Sequence, residues 1–161
     1  MPVLSSSALT GIKTPVDHRE GVGFPAISFF TTYEEAVLAA QREGKPLLLV
    51  FTLPSCANSQ RMLETTFQDN EIRRLAQRFV CVIIDATQNS PLSNEFEVQS
   101  FPTIIIKNVT DGEIQRVSGK QSVEQLSVRM LVAIQSTASQ SSTINRKVAE
   151  VFDDHKTQVG K

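Results

Sequence analysis

The apolar positions of this chain come in blocks, and the period changes from block to block. The first periodic block is "TTYEEAVLAAQREGK". Tyr33, Val37 and Ala40 share a helical face there. Thr31 or Thr32 can cap the start with Glu34 or Glu35 three residues on, and Gly44 suits the stop. "PLLLVF" follows; Leu47 to Phe51 is apolar on both faces, which predicts a central strand covered on both sides. The helical period returns over 56–68, with Met62 and Leu63 toward a core and Phe67 four residues beyond Leu63. It returns once more in "NEIRRLAQRF", through Ile72, Leu75, Ala76 and Phe79. "VCVIID" (80–85) predicts a second buried strand, "SPLSNEFEV" a short helix, and "TIIIK" (103–107) a third strand. Asp111-Gly112 supplies turn chemistry for a hairpin into "IQRVSG". Ser122 and Gln125 form a capping box for a helix carrying Val123, Leu126, Met130, Leu131 and Ile134.

Strands alternating with helices predict the α/β class, and the closing hairpin makes the sheet mixed, with four to five strands. The organisation expected is an extended N-terminal arm (1–27), one domain (28–135), a Ser/Thr/Gln linker (136–143) and a C-terminal amphipathic segment (144–161). In that last segment Ile144, Val148, Val151 and Phe152 lie on one stripe. The first reading of the stripe is a last helix folded back on the domain; the second is a docking helix for a partner.

Composition narrows the function classes. Sixteen basic and seventeen acidic residues nearly cancel, which gives no reason to expect nucleic acid or an anionic membrane as partner. No stretch approaches the roughly 18 apolar residues of a membrane span. The N-terminus lacks a basic start followed by an apolar run, so the expected compartment is the cytoplasm; a secretory or periplasmic lumen is the alternative if a leader was removed. His18 and His155 stand far apart, and two cysteines are too few for a disulfide scaffold, so neither a metal centre nor a cofactor is expected. Cys81, inside "FVCVIID", is expected to be a buried, inert thiol.

Cys56 is different. It stands in "LPSCANSQRM", where Pro54 and Ser55 break the strand and start a helix. At a helix head, unpaired backbone N–H groups and the positive end of the dipole favour the thiolate, the nucleophilic form. In open α/β sheets, reaction sites gather at the carboxyl ends of strands. Pro102, in "SFPTIII", stands directly before a buried strand and would make a tight, preorganised turn if its peptide bond is cis.

The joint order "KPLLLVF", C-x-x-S-x-x-M, "FVCVIID", "FPT" and "DGE" resembles the thioredoxin superfamily over about residues 30–135. The nearest likenesses are the thioredoxin-like domains of bacterial thiol–disulfide interchange proteins and the anterior-gradient proteins. The thioredoxin-like domain of ubiquitin-regulatory adaptors is a looser one. The resemblance implies a three-layer thioredoxin-like fold. It implies that Cys56 is the first active-site cysteine, with Phe101 and Pro102 beside it, and Pro54 and Ser55 completing a client-binding surface.

The departures reshape that expectation. Ser59 stands at the position of the resolving cysteine, whose thiol would release a trapped substrate by attacking the mixed disulfide. Ser55 replaces the usual tryptophan, and Val50 the buried acid that assists proton transfer. The ending "TQVGK" is not a retention tetrapeptide of the endoplasmic-reticulum kind. The expected function is a monothiol protein that binds protein clients, or forms mixed disulfides with them or with glutathione, through Cys56. Any enzymatic activity is at most weak thiol–disulfide exchange or isomerisation. The alternative is a non-catalytic adaptor or structural subunit of a larger assembly, docking through Ile144, Val148, Val151 and Phe152.

Overall fold

A computed structural model describes residues 23–110 and 112–156. Most of the expected arm (1–22), the turn residue Asp111 and the last residues 157–161 lie outside the described residues. The element order is β1 (Phe29–Phe30), α1 (Tyr33–Glu43), β2 (Leu47–Thr52), α2 (Ala57–Glu64), a 3₁₀ turn (Thr66–Gln68), α3 (Asn70–Ala76), β3 (Val80–Asp85), α4 (Ser90–Glu95), β4 (Thr103–Asn108), β5 (Gly112–Ser118) and α5 (Val123–Lys156). The strands form one five-stranded sheet in the order β1-β3-β2-β4-β5. The expected α/β fold is present, with its three layers and mixed sheet. β2 lies at the centre, parallel to β3 (Leu47 beside Val80) and antiparallel to β4 (Val50 beside Ile104).

The continuous apolar run of β2 follows from this position. Leu48 and Val50 point into a core shared with α2, α3 and α5, where Met62, Ile72 and Leu126 pack. Leu47, Leu49 and Phe51 point to the other side, against α1 and its Ala36, Ala39 and Ala40. All six β2 residues are buried. Each large apolar side chain taken fully out of water contributes about 1.5–3 kcal/mol. An amphipathic strand would have left one of these layers without a face to pack on.

The caps behave unequally. Ser122 and Gln125 close the expected box: the Ser122 N–H donates to Gln125 Oε1 (3.0 Å), and the Gln125 N–H donates to Ser122 Oγ (3.2 Å). Thr32 is the N-cap of α1, but its hydroxyl donates to the Glu35 carboxylate (3.0 Å) and caps no backbone N–H. Gly44 ends α1 in the left-handed region (φ 63°) and donates to the Ala40 carbonyl, as its position predicts.

Three expectations need correction. Residues 56–68 are not one helix: α2 ends at Glu64 and a 3₁₀ turn carries Phe67 into the core. β1 precedes the first expected element and pairs with β3 through Phe29 and Phe30. The stretch 136–143 is not a linker but part of α5, a single helix of 34 residues. Ser and Thr are weak helix formers because their hydroxyls compete for backbone groups. Here the hydroxyls turn back along the helix, as when Ser141 donates to the Thr137 carbonyl (3.1 Å) and Thr143 to that of Ser139 (3.1 Å). On α5, Leu131 is exposed, while Leu126, Met130 and Ala133 are fully buried.

Among the described residues, no helix is long and apolar enough to cross a membrane.

Candidate functional site

β2 ends at Thr52, and the chain turns through Leu53, Pro54 and Ser55. The Cys56 N–H donates to the Leu53 carbonyl (2.9 Å) and closes that turn. Cys56 is the N-cap of α2, with extended backbone (φ −88°, ψ 111°), and its carbonyl accepts the first helical bond from Gln60 (3.2 Å). The Gln60 side chain donates to the Pro54 carbonyl (2.6 Å) and ties the turn to the first turn of α2. Pro54 and Ser55 are exposed, and Cys56 is half-buried. The thiol therefore sits at the carboxyl end of the central strand, reachable from solvent.

Two sets of partners surround the sulfur, one for each protonation state. The thiol donates from Sγ to the Phe101 carbonyl (3.5 Å). The thiolate accepts from the Ser59 N–H and hydroxyl, and from the Asn58 N–H. These donors hold the Cys56 pKa below its ordinary value, against a smaller opposing effect of burial. Ser59 is itself buried, and its oxygen also accepts from the Leu53 N–H (3.4 Å). Ser59 is thus a donor to the sulfur and favours its negatively charged form.

The second wall comes from the loop before β4. The Phe101–Pro102 peptide bond is cis. Phe101 is half-buried, and Pro102 is buried. The Pro102 carbonyl accepts from the Gly119 N–H (2.7 Å), which fixes the loop to the end of β5. Thr103 donates to the Ser100 carbonyl (2.8 Å) and is 1% exposed. The structure thus brings Cys56, Ser59 and Phe101 together and leaves Pro54 and Ser55 exposed in the turn before Cys56. Sequence reasoning missed Gln60 and the Phe101 carbonyl. A glutamine four residues into a helix carries no signal of a loop clamp, and a backbone acceptor carries none at all.

Val50, two residues before the end of β2, is fully buried in the same core cluster as Met62. An apolar side chain there can neither take nor give a proton. Cys81 is remote from this chemistry: it is 3% exposed, and burial pushes its thiol up to about 12.

Comparison with known proteins agrees with the fold. The human anterior gradient protein 2 homolog is 37% identical over 49 residues, which are 30% of this chain and 28% of that protein. Thioredoxin H10 of Arabidopsis thaliana is 28% identical over 102 residues, 61% of each chain. The chain thus spans less than two thirds of the length of these relatives. Among solved structures, a thioredoxin from Thermus thermophilus superposes with a TM-score of 0.65 at 20% identity, covering 73% of this chain and 94% of that one. The sequence pattern of the Thioredoxin-like family matches residues 26–108, just over half of the chain, and the protein belongs to that family.

Proposed function

We infer that the protein captures disulfides through Cys56 as a monothiol. The observation that carries this reading is the set of donors from Ser59 and Asn58 that favours the Cys56 thiolate at a solvent-reachable helix head. The thiolate attacks one sulfur of a disulfide, in a protein client or in oxidised glutathione. A new Cys56–sulfur bond forms, the old sulfur–sulfur bond breaks, and the departing thiolate takes a proton from water. Phe101 and Pro102 line the side from which the client backbone arrives, with Pro54 and Ser55 at its entrance. Ser59 cannot attack the mixed disulfide, so an external thiol completes the release.

The test is intact-mass analysis after incubation with oxidised glutathione at neutral pH, with Cys56→Ala alongside. One glutathionyl adduct per chain, absent in Cys56→Ala, is the expected result. A Cys56 alkylation midpoint at or above the free-cysteine value of about 8.5 would sink the reading.

Val50 favours a second reading, in which the fold serves as a shaped binding surface for a partner. Among the described residues no acid is buried in the core, and Val50 supplies no proton acceptor. On that reading Cys56→Ala leaves the biological function intact.

A further inference from the structure

A second cleft opens at the opposite end of the sheet from Cys56. Cys56 follows the carboxyl end of β2, whereas this cleft lies where β2 and β3 begin. Pro25 and Ile27 line it from the chain leading into β1, Ala76 and Phe79 from the end of α3, and Cys81 from β3. It encloses about 310 Å³, room for a small ligand rather than a lone ion.

Two positive side chains, Lys45 and Arg73, also line this cleft, and no described residue that lines it is acidic. Neither charge is firmly held by the protein. Arg73 donates from Nη2 to the neutral side chain of Gln68, and it forms no ion pair among the described residues. Its Nε is buried and has no hydrogen-bond partner among them. A buried donor without an acceptor costs free energy, so it marks a place where an acceptor is wanted. Lys45 pairs with Glu43 (2.9 Å), but that pair is open to water and is easily exchanged for another. Burial pushes the Cys81 thiol up, and the Lys45 charge opposes it, so the ammonium acts on the wall of the cleft. The carbonyls at the end of α3 are already engaged: Leu75 accepts from the Arg78 N–H (3.0 Å) and Ala76 from the Phe79 N–H (3.0 Å).

The ligand class follows from charge and surface. A guanidinium and an ammonium facing one space suit an anion with several acceptor oxygens. At neutral pH a phosphomonoester carries about two negative charges and a carboxylate one, so the phosphomonoester matches the pair. The remaining walls are apolar and suit an apolar or aromatic body.

We propose that this cleft binds a small phosphomonoester, with its phosphate between Lys45 and Arg73 and its apolar body against Pro25, Ile27 and Phe79. The binding is separate from the Cys56 chemistry.

The test is isothermal titration calorimetry of the full chain with phenyl phosphate at low ionic strength. Saturable binding at one site is expected. Benzoate keeps the ring and one charge, inorganic phosphate keeps the charge and loses the ring, and each binds about ten-fold more weakly. Arg73→Gln and Lys45→Gln each weaken phenyl phosphate by about ten-fold. Lys45 is partly exposed, so Lys45→Gln carries the test by itself if Arg73→Gln does not fold. Arg74→Gln removes the same charge one residue away, outside the cleft, and leaves binding unchanged. A chain that shows no saturable binding in the millimolar range overturns the proposal. So does benzoate binding as tightly as phenyl phosphate, or Arg74→Gln losing as much as Lys45→Gln.

Discussion

Cys56 and Cys81 share a side chain and little else. Cys56 follows the central strand, has its sulfur within reach of three donors, and is drawn toward the thiolate. Cys81 lies inside β3, beside Leu48 in the ladder, and among the described residues its thiol reaches only the Ala76 carbonyl (3.8 Å). An acceptor is of no use to a thiolate, and burial removes water as well. The difference shows that reactivity here belongs to the end of the strand. The same atom set, one layer into the sheet, is a small apolar filler.

The largest consequence is labelling selectivity. At neutral pH, alkylation of the native chain should modify Cys56 at least about a thousand-fold faster than Cys81, read by peptide mass spectrometry, because rate follows the exposed thiolate. Comparable labelling of both would erase the distinction.

Stability at high pH should separate the two residues next, with opposite signs. A thiol whose folded pKa is raised stabilises the fold below its unfolded value near 8.5, and that contribution is lost as pH climbs toward the folded value of about 12. Relative to Cys81→Ala, the parent chain should lose about 2 kcal/mol by pH 10, measured by denaturant unfolding. Cys56 works the other way. Its lowered pKa gives a contribution that is present above the ordinary thiol value and lost as pH falls through the folded one. The parent should therefore gain slightly on Cys56→Ala as pH rises through that window.

Ser59→Cys sharpens the contrast by supplying the missing thiol where the serine hydroxyl now meets the sulfur. Disulfide reduction with a recycling reductant should rise by at least about ten-fold over the parent, because the second thiol releases the mixed disulfide internally. An inert double-thiol variant would show that Cys56 does not capture substrates. The smallest effect belongs to Ser59→Ala. Removal of one donor should raise the Cys56 alkylation midpoint and slow labelling at pH 7 by a few-fold, with the buried Cys81 unchanged.

Sequence patterning revealed what depends on side-chain alternation and spacing. β2 could be placed because a strand buried on both faces has no polar positions. Ser122 and Gln125 could be paired because a capping box is local. β1 was not legible: two half-buried phenylalanines make no period, and their pairing with β3 is set by residues fifty positions away. The helical state of 136–143 was hidden because weak propensity was outweighed by continuity with a packed helix and by hydroxyls that bond back to their own backbone. At the site, the motif gave Cys56, Ser59 and Pro102. That Ser59 would be buried and aimed at the sulfur depended on the turn that Gln60 holds, which only the folded chain displays.

The position of β2 also orders events during synthesis. Its partners are β3, which ends at Asp85, and β4, which ends at Asn108. When β2 leaves the ribosome, neither neighbour has been made, and an apolar strand with two bare hydrogen-bonding edges must wait for both. Until residue 108 is out, this segment is a template for pairing with another nascent chain. The domain cannot protect its most hydrophobic strand in the order in which it is built, so its yield in the cell should depend on how fast the next sixty residues are translated and on the holding chaperones available meanwhile.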